Sequence, residues 1–272
     1  MTEEIIENAF IDKLINFGEV LSKEIVDIQN SDFEVELKED ESPLTKADLH
    51  SNSRIKSFLK ENHSLTNVLS EEDKATAFSA RKEWEYYWVI DPIDGTKEFA
   101  KGREDFCVNI ALCKNSNPIF GYVLVPRAEN YYIGGEMING EKNGSAIKCE
   151  PFTGKNPLKI VVSNSHINEA TQSYIDDVKK DFEVEVVRSG SSLKFCLIAE
   201  GAADIYPRIG PTMEWDTCAP QAVLEASKGY IFEYLTSDTL RYNKESLLNP
   251  SFVASGFRAF PFPESRKSSR KV

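Results

Sequence analysis

The stretch Val89 to Lys101, reading VIDPIDGTKEFAK, constrains this chain more than any other. An apolar strand (Tyr86, Tyr87, Trp88, Val89, Ile90) runs into Asp91-Pro92-Ile93-Asp94-Gly95-Thr96 and then into a short helical segment. Two carboxylates and a hydroxyl are thereby delivered at the strand's end. Pro92 fixes its own φ and has no N–H, Gly95 permits a φ that other residues resist, and Thr96 can set its oxygen among the free amides of the next turn. Oxygen ligands on so stiff a turn suit a hard divalent ion such as magnesium. The same residues also read as a plain strand-ending Asp-Gly turn, and the turn alone leaves both readings open.

With 272 residues the chain can bury a large core, as one α/β domain or as two lobes sharing an interface. Its formal net charge of -12 repels nucleic acid and acidic membranes, so a phosphate substrate needs local positive charge or metal. The five cysteines (Cys107, Cys113, Cys149, Cys196, Cys218) show no CxxC spacing and sit in apolar runs, which points to reduced, packed thiols. The acidic N-terminus has no long apolar stretch after it, and no segment is long enough to span a bilayer. The expectation is a soluble, unprocessed, cytoplasmic protein.

Apolar residues from Ile5 to Ile25 recur every three or four positions, which predicts an amphipathic helix over 3–28. A strand over 32–37 breaks at Ser42-Pro43, and a second helix runs through about Leu59, with Asp48 near its start. A strand over 65–69 ends in Ser70-Glu71-Glu72-Asp73, a second sheet edge that finishes in carboxylates. Three β-rich segments over 106–133 read as an antiparallel meander. The Gly-, Asn- and Lys-rich stretch 134–157 is the natural boundary between lobes. Beyond it strands (158–162, 182–187, 204–206, 230–234) alternate with helices (168–180, 192–200, 214–226), a pattern that favours a layered α/β sandwich. The domain reading is an N-terminal α+β lobe over 1–150, a C-terminal α/β lobe over 151–257, and a basic tail over 258–272, disordered or resting weakly on a membrane surface.

Acidic oxygens thus come from four places: Asp48, Glu71, the Asp91/Asp94 pair and Asp216. The ordered motifs LSEED, WVIDPIDGTKEF, SGSSLKFCLIAEGAADIYPR and EWDT resemble the inositol monophosphatase superfamily of magnesium-dependent, lithium-inhibited phosphatases. Within it the chain is similar to the CysQ branch of 3'(2'),5'-bisphosphate nucleotidases, from the first helix to Ser246-Leu247-Leu248-Asn249-Pro250. The resemblance implies an αβαβα sandwich with the metal site between two lobes. It also implies metal ligands at Glu71, Asp91, the Ile93 carbonyl, Asp94 and Asp216, holding two or three magnesium ions. Asp48 and Thr96 would orient and deprotonate the attacking water, a role supported by the general need for an in-line nucleophile near a base.

Ser189-Gly190-Ser191-Ser192 opens a predicted helix whose amides could hold an anion, and Lys194 and Arg208 add positive charge. A second phosphate pocket follows, in which the resemblance places Ser191, Lys194 and Arg208 around a retained 5'-phosphate, His166 beside an adenine, and Gly95, Thr96 and Asp216 at the substrate. Lys97 reads equally as a phosphate contact or a solvent-facing lysine. The expected reaction is conversion of 3'-phosphoadenosine 5'-phosphate to AMP and phosphate, beside sulfate assimilation, by a monomer or homodimer. The competing readings are an inositol phosphate phosphatase and a non-catalytic binding protein.

Overall fold

The computed structural model describes residues 6–31, 33–38, 43–74, 76–164 and 167–258. In chain order the elements are α1 (Asn8–Asn30), β1 (Val35–Leu37), β2 (Pro43–Thr45), α2 (Lys46–Asn62), β3 (Val68–Ser70), α3 (Phe78–Arg81), β4 (Tyr86–Asp94), α4 (Thr96–Ala100), β5 (Cys107–Lys114), β6 (Asn117–Val125), β7 (Asn130–Gly135), β8 (Ile138–Lys142) and β9 (Ser145–Ala146). They continue with β10 (Leu158–Ser163), α5 (Glu169–Val178), β11 (Val184–Ser189), α6 (Leu193–Ala199), β12 (Ile205–Arg208), α7 (Cys218–Ala226), β13 (Tyr230–Glu233) and β14 (Phe252–Ser255). Among the described residues, β3 to β9 form a seven-stranded sheet in sequence order, and a five-stranded sheet runs β11-β10-β12-β14-β13. In the first sheet β3 and β4 are parallel and the later pairs antiparallel.

Strand periodicity explains the layering, because successive side chains leave opposite faces. On one face of the first sheet Trp88 and Ile90, Val108 and Ile110, and Phe120 and Tyr122 pack with Phe10, Leu14, Leu21 and Ile25 of α1 and with Ile55 and Leu59 of α2. The alternate residues Tyr87, Val89, Ala111 and Val123 turn the other way and join Cys196 and Ile198 of α6 with Ala219 and Val223 of α7. Beyond that shared helical layer lies the second sheet, whose outer face (Leu158, Ile160, Val162) is covered by Tyr174, Ile175 and Val178 of α5. The order is helices, sheet, helices, sheet, helix, an αβαβα sandwich.

The middle layer is tight. A Cβ on Gly121 of β6 would collide with the Ala219 carbonyl of α7, and one on Gly134 of β7 would press on Ala226 and Val223. Two small positions on adjacent strands therefore let the helix lie directly on the sheet.

Several expected elements shift. The first helix starts at Asn8 and ends at Asn30. The 134–157 stretch, read as connector, contains β8 and β9, so the first sheet continues to Ala146. The expected helix from Glu214 starts only at Cys218, because the residues before it form the loop that presents Asp216. Strand β14 was not anticipated; it is buried and antiparallel to both β12 and β13. The basic tail beyond residue 258 lies outside the described residues.

Gly121→Ala should destabilise the protein by about 1–3 kcal/mol through overpacking, lowering Tm by roughly 2–4 °C per kcal/mol. A Tm equal to that of the parent would show that α7 can lift from the sheet without cost.

Candidate active site

Asp91 and Asp94 are three positions apart and would leave a regular strand on opposite faces. The register shows how they come to the same one: Asp91 is opposite Asn109 but Asp94 is opposite Cys107, so β4 carries one extra residue between them. This bulge lies at Pro92-Ile93, where proline has no N–H to give to the ladder. Asn109 and Cys107 share the face toward α6, so both carboxylates point there, while Ile93 packs into the opposite core. The Ile93 N–H donates to Asp91 Oδ1 at 3.1 Å, and Gly95 closes the turn at φ 92°, in the left-handed region.

Parallel pairing of β3 with β4 sets Ser70 level with Ile90, and the Glu71 N–H donates to the Ile90 carbonyl at 3.3 Å, so Glu71 stands beside Asp91. Asp216 arrives from the loop before α7, with Oδ2 accepting the Met213 N–H at 2.8 Å. Asp91, Asp94 and Asp216 each place one carboxylate oxygen within 4.8 Å of the others. Asp48 sits in the first turn of α2. Its Oδ2 accepts the Thr45 N–H at 2.7 Å and the Thr45 hydroxyl at 2.6 Å, and the Thr45 oxygen in turn caps Ala47 N–H. Its Oδ1 accepts the Thr96 hydroxyl at 3.1 Å, and the same hydroxyl lies 3.1 Å from the Ile93 carbonyl.

Burial and crowding disfavour ionisation of Asp48, Glu71, Asp91 and Asp216. Burial, then the charges of Glu71, Asp94 and Asp216, pushes Asp91 well above the carboxylate range. Burial and the Asp94 charge push Asp216 up to about 8. Burial raises Glu71 although the Lys38 ammonium opposes it, and burial raises Asp48 against its bonds from Thr45 and Thr96. Asp91 Oδ2 is buried with no hydrogen-bond partner. An orphaned buried oxygen among converging hard-oxygen groups fits a divalent cation of the magnesium class.

The opposite wall comes from the second sheet and α6. Asp94 Oδ2 accepts from Ser191 Oγ at 2.7 Å, from the Ser192 N–H at 2.6 Å, and from the Ser192 hydroxyl. Of the amides in the turn expected to hold an anion, that of Ser192 is engaged by Asp94. Lys194 is buried, with Nζ donating to the Ser191 carbonyl at 2.6 Å and lying 5.1 Å from the centre of the Tyr206 ring. Arg208 donates one N–H to the Pro211 carbonyl at 2.7 Å, while its buried Nε has no hydrogen-bond partner. A cavity of about 160 Å³ brings these groups together, lined by Asp94, Gly95, Ser191, Lys194, Arg208 and Asp216 among others. Lys97 is exposed and does not line it. His166 lies outside the described residues.

Three contributors escaped the sequence reading. Lys38, just after β1, pairs with Glu71 at 2.9 Å and Glu72 at 2.7 Å, and no local pattern announces a contact across so many residues. Asn109 donates to Ser192 Oγ at 2.8 Å and bridges the two walls; a lone Asn inside the apolar strand CVNIALC was the available signal. Thr45 is the third; the signal available for it was its capping-box spacing to Asp48.

Known proteins are similar to this chain over most of its length. The chain is 38% identical over 216 residues to the 3'(2'),5'-bisphosphate nucleotidase CysQ of Salmonella typhimurium, covering 79% of this chain and 86% of that protein. It is 36% identical over 253 residues to the Buchnera aphidicola protein of that description, covering 92% of each. The crystal structure of CysQ from Bacteroides thetaiotaomicron superposes with a TM-score of 0.78 at 37% identity, over 90% of this chain and 96% of that one. The description "Inositol monophosphatase family" matches residues 3–257, and the chain belongs to that family.

Proposed function

We propose that the protein is a magnesium-dependent phosphatase that removes the 3'-phosphate of 3'-phosphoadenosine 5'-phosphate, giving AMP and phosphate. The observation that carries this reading is the single cavity with Asp94 and Asp216 on one wall and Lys194 and Arg208 on the other. A bisphosphate presents one anion to each side. The reading is also supported by the chain's 38% and 36% identity to two bisphosphate nucleotidases over most of its length.

Glu71, Asp91, Asp94, Asp216 and the Ile93 carbonyl would hold the metal. Bound there, magnesium supplies a water of lowered pKa and neutralises charge on the transferring phosphoryl group. Thr96 directs its proton to Asp48 Oδ1, leaving its oxygen lone pairs to take a proton from an incoming water. Asp48 can accept a proton in turn, and its raised pKa makes it a stronger base than a surface aspartate. Thr45 fixes the other carboxylate oxygen, so Oδ1 is the one presented to Thr96. On the far wall Arg208 Nε and the Lys194 ammonium hold the phosphate that stays on the product. Gly95 is in ordinary contact distance of Ser191, where its hypothetical Cβ would lie 3.4 Å from the serine side chain; a side chain there would narrow the cavity.

The direct test is phosphate release with magnesium from 3'-phosphoadenosine 5'-phosphate, inositol 1-phosphate and 5'-AMP. Release from the first alone is expected; preference for the inositol ester would overturn the substrate, and no release from any would favour the non-catalytic reading. Lys194→Ala with Arg208→Ala should raise KM for the bisphosphate far more than for a monophosphate, and equal effects would remove the second-anion argument.

The raised carboxylates also fix a pH dependence. Because the folded state retains protons that the unfolded chain has lost, the cluster's contribution to metal-free stability falls as pH rises from about 4 to about 8. Magnesium should therefore raise Tm more at pH 8 than at pH 5.5. Asp91→Asn should abolish turnover and raise the Tm of the metal-free protein at pH 8, since asparagine folds without either burying a charge or taking up a proton. A fall in that Tm would show that Asp91 is not electrostatically strained.

A further inference from the structure

Arg81 is 2% exposed and lies at the end of α3, on the connection between β3 and β4. These are the strands that present Glu71 and the Asp91/Asp94 pair. A buried guanidinium needs partners: Arg81 Nε donates locally to the Thr76 carbonyl at 3.2 Å, while its two terminal N–H groups reach the far end of the chain, one to Asn243 Oδ1 at 2.7 Å and another to the Glu245 carbonyl at 2.8 Å. Asn243 returns a bond from its amide to the Arg81 carbonyl at 2.6 Å. The Asn243 N–H then donates to Glu214 at 2.6 Å, and Lys244 gives the same carboxylate its own N–H at 3.0 Å and its ammonium at 2.6 Å.

Glu214 is fully buried and two residues from Asp216. The far side of the Asp216 loop is held by Asn249, whose amide donates to the Met213 carbonyl at 2.7 Å and to Thr217 Oγ1 at 2.9 Å. The 241–249 segment therefore works as a strap. One end is gripped by Arg81 on the connection between two strands of the first sheet, and the other encloses the loop carrying Asp216.

We infer that Arg81 is a positioning residue for the metal site: through Asn243 and Glu214 it sets Asp216 at a fixed distance from Glu71, Asp91 and Asp94. Arg81 touches neither substrate nor metal. The inference rests on the proposed metal site. Its physical basis is that carboxylates repelling one another move apart unless their backbones are tied, and charge-assisted bonds from a planar fork to two acceptors tie them with defined geometry.

The test is Mn²⁺ binding to the purified full chain, followed by electron paramagnetic resonance, with Tm measured on the same metal-free samples. Arg81→Ala and Asn243→Ala should each weaken Mn²⁺ binding by about 10-fold. The double variant should be little worse than either, because the two residues act as one unit. Arg81→Lys should not restore binding, since one ammonium cannot reproduce the fork. The magnesium concentration for half-maximal turnover should rise by the same factor, with kcat at saturating magnesium changed less than about twofold.

A fall in Tm with unchanged Mn²⁺ affinity would reduce Arg81 to a structural residue and overturn the inference. Should Arg81→Ala not fold, Asn243→Ala decides on the same terms. Asp216→Asn separates the two levels of argument: if it binds Mn²⁺ as tightly as the parent, the metal site itself is misplaced, whereas weak binding by Asp216→Asn beside normal binding by Arg81→Ala and Asn243→Ala removes only the strap.

Discussion

Mutual repulsion among buried carboxylates is the interaction on which the rest of the architecture depends. Asp48, Glu71, Asp91, Asp94 and Asp216 come from a helix start, two strand ends and a loop, and an isolated buried charge is among the costliest features a fold can hold. Compensation is uneven. Asp94 receives the Ser191 and Ser192 hydroxyls and the Ser192 amide, and Asp48 receives two donors from Thr45 and one from Thr96. Asp91 has one backbone donor on Oδ1 and none on Oδ2. Asp91 and Asp216 are also pushed far up from the carboxylate range. The deficit is concentrated at the oxygens on which the strands and the loop converge, where a divalent cation relieves it most.

The layers follow from the need to bring that deficit together. Asp216 reaches Asp91 only because α7, which starts just after it, lies flush on the first sheet at Gly121 and Gly134. A side chain at either glycine would lift the helix and carry Asp216 away. Ser191 and Ser192 reach Asp94 from the same middle layer through the start of α6. The second sheet thus completes a site whose first half is built on the other sheet, and the hydrophobic cluster between the sheets draws on both.

Much of this was legible in the sequence where the signal is local. The apolar run into Asp91-Pro92-Ile93-Asp94-Gly95 announced a strand ending in two carboxylates, and Pro92 marks the bulge that sets both on one face. The meander, the alternation after 158 and the helix start near Asp48 are short-range patterns as well. What could not be read is what depends on distant pairing. Lys38 meets Glu71 and Glu72 only because the β1 segment folds over the end of β3, and Arg81 meets Asn243 across most of the chain. Strand β14 was hidden because Phe252 to Ser255 is short and buried on both faces, so neither periodicity nor a tight turn marks it. In the serine turn before α6, the sequence likewise does not announce that the Ser192 amide meets the protein's own Asp94.

The cavity's two walls also argue for what the site rejects. On a chain with a formal net charge of -12, Lys194 and Arg208 are held beside a carboxylate cluster, an arrangement whose field favours a metal cation on one side and a phosphate on the other. A neutral polyol bound at the metal would leave the buried Arg208 Nε and the Lys194 ammonium facing hydroxyls. A charged donor deprived of an anionic partner forfeits about 1.5–3 kcal/mol of hydrogen bonding, which corresponds to roughly a 10-fold to 100-fold preference. Discrimination of that kind requires no clash. Under the proposed function it follows from charges that a bisphosphate satisfies and a monoester does not, with selectivity assigned to the Lys194/Arg208 wall and turnover to the Asp91 wall.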